Sequence, residues 1–192
     1  MTSVASKGER TRARLLDIAV RRFAADGFRR TSLAAVADEA GLTPAAVYAY
    51  FAGKEALFEA AVDVDAEELI RESFDPSEAD VYPAFLLRLF ENLDRHLLAR
   101  RVLAGQEPDV IDRLLELPAL LHCRQLIAET LAEGQRTGRV RVDIDTKVIA
   151  AGLESVVLAL LMATLQVTDV DAERQNGVLA LLDAVLAPPR AD

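Results

Sequence analysis

A single cysteine, Cys123, stands in 192 residues. It can close no intrachain disulfide and cannot build a four-cysteine metal site, which suits a reducing, cytoplasmic location. Histidine is nearly as scarce. His96 and His122, taken with Cys123, show no repeated ligand spacing, so neither a metal nor another cofactor is expected. Missing too are a Ser/His/Asp set, a glycine-rich phosphate loop and an HExxH signature, so the chain is not expected to be an enzyme. The N-terminus is polar and basic through Arg14, without the apolar core of a secretory signal. The longest apolar stretch, Val148 to Leu165, is cut near its middle by Glu154 and Ser155. A charge at that depth in a bilayer costs about 2.5 kcal/mol or more, so the stretch reads as a buried helix and no membrane partner is expected. No segment alternates apolar and polar residues long enough to demand a strand, and the expected fold class is all-α.

What is present is an apolar-rich chain, 52% hydrophobic, with a lopsided charge. The net charge is −9, yet residues 1–30 hold eight basic groups (Lys7, Arg10, Arg12, Arg14, Arg21, Arg22, Arg29, Arg30) against Glu9, Asp17 and Asp26. That end carries +5 and the other 162 residues −14. Such asymmetry points to a cationic front that meets a polyanion, with a different task for the rest.

Helical spacing divides the chain into nine elements. Leu15, Ile18, Ala19 and Phe23 form the stripe of a first helix, with Gly27 placed to end it. Ser32 caps a short second helix through Val36 and Ala37, which stops at Gly41. Thr43 caps a third, with Pro44 at its first position, running to about Phe51. A fourth spans residues 53–74. Beyond it the pattern predicts one continuous helix from Phe85 to about Arg101, a short one from Val110 to Leu117, and a longer one from Pro118 to about Gln135. Asp145 then caps Thr146 to Gln166, and a last helix runs from about Ala172 to Leu186, stopped by Pro188 and Pro189.

The second and third helices, joined by a tight glycine-containing turn, have the form of a helix-turn-helix whose second member can enter a major groove about 12 Å wide. Gly27-Phe28, Thr31-Ser32, Val36-Ala37, Ala40-Gly41, Val47-Tyr48, Tyr50-Phe51 and Lys54-Glu55-Ala56-Leu57 stand in an order and spacing that resembles the TetR family of transcriptional regulators, over residues 10 to 58. The resemblance implies a DNA-binding domain at 1–52 with a basic N-terminal arm, and a helical ligand-binding and dimerisation domain at 53–192, bridged by the fourth helix. It also implies a homodimer released from a pseudo-palindromic operator by a small apolar or amphipathic ligand. The rival reading is an enzyme or carrier that uses the C-terminal cavity and keeps the front end as a relic.

Carried over by position, the DNA-facing candidates are Thr31, Ser32, Thr43, Ala45, Ala46, Tyr48, Tyr50 and Lys54, with Arg10 in the arm reaching for the minor groove. Arg21 and Arg22 read as a solvated face. The third helix has no Arg, Lys, Asn or Gln to pair bidentately with a base, so specificity should lean on Thr43, methyl contacts and DNA shape. For the ligand pocket the candidates are Phe85, Leu89, Asn92, His96, Glu154 and Ser155, with Arg113 and Arg124 as possible partners for an acidic ligand. Leu153, Val156, Val157, Leu160, Leu161, Val178, Leu179, Leu182, Val185 and Leu186 make the last two helices apolar on more than one face. The resemblance assigns them to a four-helix dimer interface.

Overall fold

The computed structural model describes residues 6–77, 81–108, 113–166 and 172–187. Among these residues there are nine α-helices and no strand. They are α1 (Lys7–Arg30), α2 (Leu33–Glu39), α3 (Pro44–Val47), α4 (Lys54–Ser73), α5 (Val81–Leu93), α6 (Leu97–Leu103), α7 (Pro118–Arg136), α8 (Thr146–Gln166) and α9 (Ala172–Leu186). A 3-10 turn at Leu114–Glu116 precedes α7. Of the short helix expected at Val110–Leu117 this turn is what the described residues contain, since 109–112 lie outside them. Pro188 and Pro189 also lie outside.

Local chemistry sets the early boundaries. Ser6 opens α1 with a reciprocal capping box: its Oγ accepts from Glu9 N at 3.2 Å and its own N–H donates to Glu9 Oε2 at 2.6 Å. Residues 7–14 are therefore helical, so the basic N-terminal arm expected to hold Arg10 is, from Lys7 onward, the start of α1. Ser32 and Thr43 cap α2 and α3 by accepting from Ala35 N and Ala46 N. The regular part of α3 is a single turn. Its course continues to Phe51 through tighter bonds such as Tyr50 N to Val47 O.

The first core gathers Leu15, Ile18 and Phe23 of α1, Val36 of α2, Val47 of α3, and Leu57 and Phe58 of α4, all buried. Phe23 meets Phe58 edge to face with centroids 4.8 Å apart, and Phe28 lies 5.1 Å from Phe58. The apolar core continues along α4, so that Leu69 and Ile70 at its far end pack among α5 to α8.

The expected continuous helix from Phe85 to Arg101 is broken. The break has no glycine or proline to announce it. Asp65 of α4 takes the N–H of Ala99 at 2.8 Å on one oxygen and His96 Nδ1 at 3.0 Å on the other, so α6 begins on a cap supplied by another helix. Asp63 does the same for α7, accepting Ala119 N at 2.8 Å.

The regular part of α1 stops at Gly27 as expected, with φ 77° and ψ 170°, a conformation essentially restricted to glycine, and the chain kinks there into a last short turn, Phe28 to Arg30. Thr31 locks the kink by donating its hydroxyl to Gly27 O at 2.9 Å. A Cβ on Gly27 would also fall 2.5 Å from Arg101 Nη2 and 2.6 Å from Glu107 Oε1, whereas one on Gly41 (φ 65°) would meet nothing within 4 Å. Gly41→Ala should therefore cost about 1 kcal/mol from backbone strain alone. Gly27→Ala should cost about 3 kcal/mol or more, because strain and collision add. Chemical denaturation of both variants checks this, and equal losses would show that the Arg101–Glu107 contact yields freely.

Candidate nucleic-acid interface and interior cavity

Two places in the molecule gather the residues that the sequence singled out. The first is the outer surface of the helix-turn-helix. Thr43, Ala45, Tyr48 and Ala49 are exposed on α3 and the turn after it, and Tyr48 is 58% exposed, a large ring held in solvent. Val47 and Phe51 point the other way, into the core. Ala46 is half-buried, and Tyr50 packs against the core, so the two tyrosines expected on the outer face part company. Ser32 is exposed beside them, its Oγ engaged as a cap.

Thr31 is a correction. It is only 4% exposed and its hydroxyl donates to Gly27 O and, at 3.3 Å, to Arg22 O, so this side chain is turned away from any phosphate. The short link between α1 and α2 needs an interior lock, and a buried hydroxyl must spend its proton on a carbonyl. Lys54 sits at the start of α4 with its Nζ 4.4 Å from the Phe28 ring centroid and donating to Arg29 O at 3.3 Å. Its charge is thus held over an aromatic face while further N–H bonds remain to offer. Arg10 is the fourth residue of α1, its N–H donating to Ser6 O at 3.1 Å. Arg12 stands 5.1 Å over the Phe51 ring.

Arg21 and Arg22 are not simply solvated. Both reach Glu39 of α2, Arg22 Nε at 2.6 Å and Arg21 Nη2 at 3.1 Å, and these hydrogen bonds hold the Glu39 carboxyl below its usual range. They tie α1 to α2 and leave the outer face of α3 unobstructed.

The second place is a cavity of about 70 Å³, where about 10–15 Å³ would hold one water. α4, α5, α6, α7 and α8 all contribute walls, through residues such as Ile70, Phe85, Val102, Cys123 and Val157. Of the six pocket candidates, Phe85, Leu89 and Glu154 line it. Asn92 and His96 are displaced from it by a polar network against α4. Asn92 Nδ2 donates to Ser73 Oγ at 3.1 Å, and His96 bridges Asp65 and, at 3.5 Å, Glu72. Ser155 is exposed and bonds Ala151 O within its own helix. Cys123 and Val157 went unforeseen as wall residues. Arg113 pairs with Glu59 at the surface, and Arg124 with Glu154, so neither is held in reserve for an acidic ligand.

The residues expected at a dimer interface also divide. Leu153, Leu160, Leu161 and Leu186 are buried within the protomer, and Val157 lines the cavity. Val156 and Val185 are exposed, Val178 and Leu179 are half-buried, and the side chain of Leu182 lies outside the described residues. A helix apolar all round does not reveal which face is outer. In the structure the outer face is Val148, Gly152, Val156 and Ala159 on α8, with Ala180, Leu181 and Val185 on α9. By length and composition α8 alone among the described helices could cross a membrane, yet its opposite side carries Glu154 and three leucines into this core.

Burial pushes the Cys123 thiol up to about 12, with the Glu154 and Glu67 carboxylates adding to the shift. A thiol held protonated is a poor nucleophile. Alkylation of Cys123 by iodoacetamide at pH 8 should be at least tenfold slower in the folded protein than after denaturation. Mass spectrometry against time measures the ratio, and equal rates would place the thiol at the surface.

The model of bacterial regulatory proteins of the tetR family matches residues 15–61, the span that holds α2, α3 and their packing partners. Over nearly the whole chain the sequence is similar to the HTH-type transcriptional regulator UidR of Escherichia coli, 22% identical over 97% of this chain and 98% of that protein. It is 28% identical to the HTH-type transcriptional regulator TtgR of Pseudomonas putida, over 85% of this chain and 84% of TtgR. Among solved structures, Salmonella enterica GusR superposes with a TM-score of 0.66 at 20% identity, covering 94% of this chain and 97% of its own. With a helix-turn-helix in place at one end and a cavity-bearing helical body at the other, the chain matches the tetR family of bacterial regulatory proteins over residues 15–61 and is similar to HTH-type transcriptional regulators along nearly its whole length.

Proposed function

We propose that this DNA-binding transcriptional regulator is a cytoplasmic homodimer that represses from a pseudo-palindromic operator and is released by a small apolar or amphipathic ligand. Residues 1–52 serve as the DNA-binding unit and 53–192 as the ligand-binding and dimerisation unit. The observation that carries the reading is the position of α4. Its first turns hold Lys54 and Phe58 against the helix-turn-helix, and its last turns, through Leu69 and Ile70, wall the cavity. A ligand that binds the DNA-incompetent arrangement more tightly by about 1–3 kcal/mol would lower operator affinity about 5- to 150-fold.

On DNA, two copies of α3 would occupy successive major grooves about 34–36 Å apart. Tyr48, Thr43 and Ala45 face the groove, Ser32 and Lys54 the phosphates, and Arg10 the flanking backbone from the start of α1. The small apolar outer face of α8 and α9, with Leu181 at 57% exposure, supports pairing of two copies through these helices. The rival reading, an enzyme or carrier with a relic front end, shares the cavity but leaves the exposed outer face of the helix-turn-helix without a task, and His96, His122 and Arg124, which an enzyme could use, are engaged with carboxylates.

Binding to the DNA upstream of its own gene, measured at two salt concentrations, tests the whole scheme. Affinity should fall steeply with salt and favour one palindrome over bulk DNA, whereas flat, sequence-blind binding would refute it. Lys54→Ala should reduce the logarithmic salt slope by about one per protomer, and Tyr48→Phe should weaken operator binding up to about tenfold. Leu181→Glu should convert the dimer to monomer in sedimentation and abolish operator binding while the helical content is kept. Unchanged affinity in both DNA-face variants would remove the assigned interface.

A further inference from the structure

One wall residue of the cavity is out of keeping with the others. Glu154, on α8, is 4% exposed and sits among apolar side chains. Its partner is Arg124 of α7, whose Nε and Nη2 approach the same oxygen, Oε2, at 2.7 and 2.5 Å. An arginine fork can serve both oxygens of a carboxylate; here it serves one. Oε1 is left buried with no hydrogen-bond partner, the one such side-chain atom among the described residues. Native interiors rarely leave a carboxylate oxygen so, because its lost hydration is recovered only by a donor. Cys123 also lines the cavity, yet its thiol does not bond to Oε1.

We infer that Glu154 Oε1 is the polar anchor of the effector site, and that the effector is a neutral, largely apolar molecule bearing one hydroxyl or N–H donor. This rests on reading the cavity as the ligand site. The charge count selects a neutral donor. Arg124 already balances Glu154, so an ammonium group would bring an uncompensated positive charge next to the guanidinium, and a carboxylate would meet Glu154 itself. The remaining walls, among them Phe85, Leu89, Val157 and Leu161, offer contact area without polar atoms, so the rest of the ligand is hydrocarbon or aromatic.

Matched one-ring probes test this on the full-length protein by calorimetry: 4-propylphenol, its methyl ether, 4-propylbenzylammonium and propylbenzene. The phenol should bind on the order of tenfold more tightly than the ether and than the cation. Glu154→Gln keeps the side-chain shape, but with its amide oxygen held by Arg124 it turns an NH2 toward the cavity, so the preference for phenol over ether should vanish. Equal binding of phenol and ether to the unaltered protein, or tighter binding of the ammonium, would overturn the inference while leaving the cavity as a ligand site. Binding of none of the four would overturn both. The comparison among probes needs no variant, so it stands even if Glu154→Gln fails to fold.

Discussion

Two aspartates on one helix, each closing the start of another, hold the molecule together. The first N–H groups of a helix have no partner within it, and a buried helix start must find one elsewhere. Asp63 and Asp65, two positions apart on α4, supply theirs to α7 and α6. A carboxylate at a helix N-terminus also meets the positive end of the helix dipole, so each contact contributes about 1 kcal/mol beyond packing. Asp65 then turns its second oxygen to His96, fixing the ring between α4 and the start of α6. α6 and α7 both wall the cavity, so any displacement of their ends is transmitted to α4 through short, directional bonds and not through side-chain packing alone.

A second connection runs beside the first. Arg101 of α6 holds Glu107 at 2.6 Å, and the same Glu107 oxygen accepts the N–H of Phe28, just past the kink in α1. Phe28 in turn packs on Phe58 and carries Lys54 over its face. Val102 and Leu103, next to Arg101 on α6, line the cavity. The cavity thus touches the DNA-reading end along two routes, one through the long axis of α4 and one through α6 and the glycine kink. They converge on the aromatic cluster of Phe23, Phe28 and Phe58 between α1 and α4.

Most of the architecture was legible from residues that act on their own neighbourhood. Ser32, Thr43 and Asp145 cap the helices that follow them, as their side chains and spacing indicated. What escaped the sequence were contacts between positions far apart in the chain. The break at His96 depends on an acceptor 31 residues away, so Phe85 to Arg101 read as one helix. Asn92 and His96 share a stripe with Phe85 and Leu89, yet Ser73 and Asp65 draw them out of the cavity. Thr31 matched a phosphate-facing pattern, but the nearest acceptor for its hydroxyl is an interior carbonyl. For α8 the composition announced coverage on all sides, and only the placement of α6 and α7 decides which leucines face inward.

The outer face of α3 and the turn after it presents a threonine hydroxyl, two alanine methyls and one tyrosine ring where other side chains could have gripped base edges with paired hydrogen bonds. Methyl contacts and groove width discriminate in small, graded steps. A promoter bound this way can accumulate single-nucleotide drift without escaping control, and several imperfect sites across a genome can be held at different occupancies by one pool of protein.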